Sequence, residues 1–109
     1  MVTLMKLYKF QALVTLHPAA DGRECPKLGP APRRMVLLGR SGESGRSQFF
    51  AALVNADDDR PLWPGSRRVL VTLRVADNAA ADYFGIGRHF HFWLGGDIGE
   101  GIITRRLFV

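Results

Sequence analysis

Three stretches of this chain alternate apolar and polar residues at period two, the spacing of a strand with one buried face. In residues 8–16, Phe10, Ala12, Val14 and Leu16 share one face, with Gln11 and Thr15 on the other. In residues 67–75, Val69, Val71, Leu73 and Val75 point inward, and Arg68, Thr72 and Arg74 point outward. In residues 88–94, Phe90, Phe92 and Leu94 take the core side, so His89, His91 and Trp93 share the opposite face. Three further strands carry a weaker pattern. Residues 34–38 form a short apolar run. Residues 48–54 are apolar but for Gln48: Ala51-Ala52 favours helix, whereas Phe49 and Phe50 favour strand, and the neighbouring strands decide for strand. Residues 102–109 complete a set of six.

Turn and loop residues separate these runs. His17-Pro18-Ala19-Ala20-Asp21-Gly22 ends the first, and Pro26, Pro30 and Pro32 deny ladder donors to the segment that follows. The glycines and serines of residues 39–47 predict an exposed loop, and Pro64-Gly65 fits the central positions of a type II turn. Residues 76–84 predict a loop or a single helical turn. Six short strands at roughly even spacing predict an all-β barrel or sandwich, formed as one domain over residues 1–109.

Charge adds a basic bias. Lys and Arg number 15 against 10 Asp and Glu, a formal net charge of +5, and twelve of the 15 are Arg. Arg suits planar, bidentate contact with phosphates and carboxylates, so nucleic acid and acidic proteins are the partner classes to weigh. The basic residues are scattered rather than run together, which equally suits plain solubility. The single cysteine, Cys25, forms no intramolecular disulfide and fits a reducing compartment. The start of the chain lacks a long apolar core for a signal peptide, and no run nears the about 18 apolar residues that span a bilayer. The expectation is a cytoplasmic chain with no membrane partner.

Several segments invite catalytic or metal chemistry and fail on spacing. Gly39-Arg40-Ser41-Gly42-Glu43-Ser44-Gly45-Arg46-Ser47 follows a strand, as a phosphate loop does. That loop needs a lysine to reach the β- and γ-phosphates; here the glycine spacing is one residue too long and Arg46 replaces lysine. The expectation is no GTP binding or hydrolysis at residues 39–47; micromolar affinity for GTP with Mg²⁺ in a calorimetric titration would contradict it. His89 and His91 provide half of a zinc site with no third ligand nearby in sequence. Asp57-Asp58-Asp59 cannot converge on one cation, because consecutive carboxylates diverge. No nucleophile, base and oxyanion donor assemble, so no enzyme activity, cofactor or metal is expected.

The last quarter of the chain, from Gly87-Arg88-His89-Phe90 through Gly95-Gly96 to Gly99-Glu100-Gly101, resembles the third domain of elongation factor Tu. Phe10-Gln11-Ala12-Leu13-Val14-Thr15-Leu16 is similar to that domain's opening Phe-x-Ala-x-Val-x-x-Leu, one residue tighter. Asp21-Gly22-Arg23-Glu24-Cys25-Pro26 is similar to its Gly-Gly-Arg-x-x-Pro turn, and Trp63-Pro64-Gly65-Ser66 to its Met-Pro-Gly-Asp turn. Its Gly-Tyr-Arg-Pro-Gln-Phe-Tyr-Phe segment matches either Gly45-Arg46-Ser47-Gln48-Phe49-Phe50 or Gly29-Pro30-Ala31-Pro32-Arg33. The resemblance spans residues 8–108 and is sparsest over residues 27–60.

It implies a six-stranded antiparallel β-barrel standing without its GTPase domain. It also implies a non-catalytic binding module related to translation factors, whose partner is tRNA or other RNA held through Arg side chains. Asp97 departs from the pattern, standing after Gly95-Gly96 where the family has Arg, and brings a negative charge to a phosphate-contacting turn. The alternative is a protein-interaction module for a GTPase, or for an acidic or apolar partner, with weak homodimerisation through leftover apolar surface. The residues expected to carry contact are Arg46, Arg88, His89, His91, Trp93, Gly95, Gly96, Arg105 and Arg106.

Overall fold

The structure is a computed structural model that describes residues 7–17, 29, 31–41, 45–56, 68–77 and 79–107. The expected turns around Asp21-Gly22-Arg23, Asp57-Asp58-Asp59 and Trp63-Pro64-Gly65, and Cys25, lie outside the described residues. Six strands and one helical turn follow in order: β1 (Leu7–Leu16), β2 (Arg33–Arg40), β3 (Ser47–Ala56), β4 (Val69–Ala76), α1 (Ala80–Tyr83), β5 (His89–Trp93) and β6 (Asp97–Leu107). The strands close into an antiparallel barrel in the order β1-β4-β3-β2-β5-β6. Closure removes the open sheet edge, so every strand hydrogen-bonds on both sides.

The alternation explains the interior. Phe10, Val14, Val71, Leu73, Phe90 and Phe92 are buried in one core, together with Leu37, Phe50, Val54 and Ile103. Val69 is only half-buried, because it sits at the barrel mouth beside the chain's turn from Arg68. Leu94 does not take the core side: it lies beyond the end of β5, in the turn, and is exposed. Thr72 points outward yet is buried.

α1 and the residue after it plug one end. Asp77 starts the turn, its Oδ1 accepting the Ala79 N–H at 2.8 Å. Phe84 then inserts among Phe50, Phe10 and Phe90, with ring centroids 5.0, 5.8 and 6.0 Å away. Gly39 on β2 makes room for it, since a Cβ there would stand 3.3 Å from the Phe84 ring.

Two expectations about strand limits are corrected. The last strand begins at Asp97, five residues before 102, and runs straight through Gly99 and Gly101. Neither glycine has a positive φ; of Gly95 and Gly96, only Gly95 does, at +65°. Gly99 and Gly101 serve space instead: an added Cβ would lie 2.6 Å from the Thr15 carbonyl oxygen at the first and 2.4 Å from Phe90 Cζ at the second. The expected loop over residues 39–47 is also shorter, because β2 runs through Arg40 and β3 starts at Ser47.

Gly95 separates backbone strain from steric strain. A Cβ there meets nothing within 4 Å, so Gly95→Ala carries only the left-handed backbone penalty. The expected loss is about 1–2 kcal/mol in urea denaturation. No loss would mean the turn relaxes to a negative φ.

Candidate functional site

Outward residues of three neighbouring strands form rows across the barrel wall. β2 pairs Leu38 with Phe49 of β3 on one side and His91 of β5 on the other. One step along, Val36 pairs with Ala51 and Trp93, and a further step sets Arg34 beside Leu53. The rows join into an apolar face. Phe49 is 54% exposed, Trp93 36% and Leu94 56%. Phe49 and Trp93 meet edge to face across β2, their ring centroids 5.5 Å apart. Water contact of this much contiguous apolar surface is unfavourable, which distinguishes it from scattered surface leucines.

The three strands of the face carry one sign of charge, and Asp97 and Glu100 of β6 border it beside Trp93 and His91. β2, β3 and β5 contain no Asp or Glu, while Arg34 and Arg40 project from β2. Arg74 of β4 lies beside Leu53 in the β3–β4 register. Two hollows indent the surface. One of about 270 Å³ lies between Arg33, Val36, Trp93 and Leu94. The other, about 300 Å³, lies between Leu7, Ala51, Leu53 and Arg74. Arg34 lines both.

The structure brings part of the expected contact set to this face. Trp93 is central to it. Gly95 and Gly96 form the turn above Trp93, closed by the Leu94 N–H donating to the Gly96 carbonyl at 2.9 Å. His91 shares the outward side but is engaged elsewhere. Its Nδ1 lies buried, 2.9 Å from Asp97 Oδ2, in an approach that lacks the alignment of a hydrogen bond. Asp97 Oδ1 accepts the Gly99 N–H at 3.1 Å and lies 3.4 Å from His17 Nε2. The Asp97 carboxylate thus lies among two imidazoles and a backbone donor. It sits where the end of β1 meets β5 and β6 at this rim.

The remaining basic residues sit at the α1 end. Arg46 precedes β3, and Arg88 and His89 open β5, all exposed. Arg105 and Arg106 lie near the end of β6, where the Arg106 guanidinium stacks 4.8 Å over the Tyr8 ring. Sequence reasoning missed Val36, Phe49, Leu53 and Arg34. Their spacing carries no sign that β3, β2 and β5 are neighbours, although the apolar run of residues 49–54 already hinted at a strand apolar on both faces.

Among the described residues, no group of three or more His, Cys, Asp and Glu side chains is placed to hold a metal ion. No helix of the described residues is long and apolar enough to cross a membrane. No protein-family model matches the chain, and no curated protein matches it.

Proposed function

We propose that this barrel is a non-catalytic protein-docking module whose partner surface is the outer face of β3, β2 and β5. The observation that carries this reading is the joined apolar surface of Phe49, Val36, Trp93 and Leu53, bordered by Arg34, Arg40 and Arg74 and free of carboxylates on its three strands. A partner that fits offers an apolar anchor for each hollow and carboxylates around them. The closed barrel leaves no edge to extend, so docking runs through side chains rather than strand addition. A second copy of the chain fits this face poorly, because its own Arg border would meet this one.

The barrel architecture agrees with the fold that the resemblance to the third domain of elongation factor Tu implies. RNA is the second reading for this face, because aromatics bordered by Arg also suit single-stranded nucleic acid; the edge-to-face packing of Phe49 on Trp93, in place of parallel stacking platforms, favours a protein partner.

The test compares what the barrel retains from its own host as wild type, as Trp93→Ala and as Arg34→Glu. Trp93→Ala should weaken retention more than about tenfold, in keeping with tryptophan at an interface centre. It should cost folding no more than about 1.5 kcal/mol, the value of its surface aromatic pair. Arg34→Glu should reduce retention similarly through repulsion of an acidic partner. Nuclease treatment should change nothing. Retention abolished by nuclease, falling steeply with salt and indifferent to Trp93→Ala would give the site to RNA, because counterion release sets that salt slope.

A further inference from the structure

The end of the barrel closed by α1 holds a second surface, which meets the docking face only at Arg40. A cleft of about 490 Å³ there is lined, among the described residues, by Arg40, Ser41, Gly45, Gly87, Arg88 and His89. The β2–β5 register pairs Gly39 with Phe90, and so sets Arg40 next to His89. Arg88 immediately precedes that histidine. Two guanidinium groups and an imidazole therefore share one cleft, and no Asp or Glu is among the described residues that line it.

Arg40 is positioned as well as present. Its Nε donates to the Gly45 carbonyl at 3.1 Å, which braces the stem of the guanidinium. That leaves the terminal guanidinium nitrogens of Arg40 with no ion pair among the described residues. The Arg88 guanidinium likewise makes none among them.

The backbone donors of the cleft are already engaged. Ser41 N–H donates to Arg46 O at 2.8 Å, Gly45 N–H to Ser41 O at 3.1 Å, Gly87 N–H to Ile103 O at 2.8 Å and Arg88 N–H to Gly85 O at 3.0 Å. This is the reverse of a phosphate loop, which cradles its ligand with free backbone N–H groups. Recognition here falls to side chains; guanidinium forks fit the oxygens of carboxylate and phosphate alike, but a phosphate has oxygens and charge enough to meet both forks and the imidazole at once.

We propose that this cleft is a phosphate-binding site, with Arg40 and Arg88 as bidentate donors and His89 as a third. It lies at the opposite end of the barrel from the Gly95-Gly96 turn, so it splits Arg88 and His89 of the expected contact set from Trp93, Gly95 and Gly96. It meets the docking face only at Arg40, on that face's border. The phosphate belongs either to a nucleic-acid backbone or to a small phosphorylated molecule, and both present the same oxygens.

The test follows amide and His89 side-chain resonances during titration with inorganic phosphate at low ionic strength. Saturable shifts should appear at Arg40, Gly45, Arg88 and His89. Arg88→Ala should weaken the apparent affinity about tenfold or more, the size expected for losing a charge-assisted hydrogen bond. Arg88 carries this arm because Arg40→Ala also removes the brace on Gly45. Competition by an oligoribonucleotide without terminal phosphate identifies a backbone diester as the source. Competition by pyrophosphate, with the oligonucleotide inert, identifies a small molecule. GTP with Mg²⁺ should bind no tighter than pyrophosphate, as no base-stacking wall lines the cleft among the described residues. Equal shifts with chloride at matched ionic strength, shifts that survive Arg88→Ala, or no saturable shift would overturn the site.

Discussion

Val71→Asp leaves the chain unfolded. Val71 is fully buried on β4, between Ala12 of β1 and Ala56 of β3 in the register, with the apolar interior in front of it. No charged side chain of the described residues is buried with it. An unpaired carboxylate in such a site costs several kcal/mol, a large share of the about 5–15 kcal/mol by which a domain is stable. Circular dichroism should lose its strand signal, and amide resonances should collapse to the narrow range of an unfolded chain. Val71→Ala, which removes only methyl groups, should lower stability by about 1–3 kcal/mol and still fold. A dispersed, native-like spectrum for Val71→Asp would place this face of β4 outside the core.

Gly101→Ala is the second large effect, and it arises from one methyl group. The added Cβ would stand 2.4 Å from Phe90 Cζ and 2.7 Å from Val14 Cγ1, two core side chains that face each other across β6. Neither is a loose end that swings aside, since Phe90 is itself held against Phe92 and Phe84. Overpacking of this kind costs about 1–3 kcal/mol and outweighs the gain from a less flexible unfolded chain. Urea denaturation should show a lower midpoint with an unchanged slope. Gly99→Ala should behave alike, because its Cβ would meet the backbone oxygen of Thr15. If Gly101→Ala matches wild type, the barrel wall at β6 is looser than these distances require.

The strands with one wet and one dry face were legible directly. β1 and β5 alternate cleanly because each residue step crosses the barrel wall, and β4 does so apart from Leu70 and the buried Thr72. β6 was misread because two irregularities break its phase. Phe92 pairs with Gly99 and Trp93 with Asp97, so Ile98 is an extra residue whose side chain enters the core. Between Gln11 and Ala12 the register shifts again and leaves Thr104 over, its hydroxyl donating to the Gln11 carbonyl at 3.1 Å. Bulges of this kind defeat a period-two reading, and they make glycines needed for space look like turn glycines.

β3 hid for the opposite reason. Its wet face is apolar, so helix and strand patterns competed over residues 48–54. The feature that blurred the sequence is the feature that now marks the surface. The His89, His91 and Trp93 face was readable from β5 alone. Its union with Phe49 and Val36 needed the pairing of β3 with β2 and of β2 with β5, which brings together residues far apart in the chain. Likewise, the separation of Arg46 and Arg88 from Trp93 follows from strand direction. β5 runs from the α1 end, where its basic residues lie, to the rim where Trp93 meets Gly95-Gly96.

The docking face is tested most directly by site-specific photo-crosslinking in the protein's own host, with crosslinked residues mapped on the captured partner. A photoreactive side chain is placed at Phe49 or at Val36 on the face, and at Thr104 on β6, outside the face, as a control. The same protein should be captured from Phe49 and Val36 and not from Thr104, and the mapped contact on it should be an apolar segment bordered by Asp or Glu. Crosslinks to RNA, equal capture from Thr104, or a mapped contact that is basic would contradict the assignment of this face.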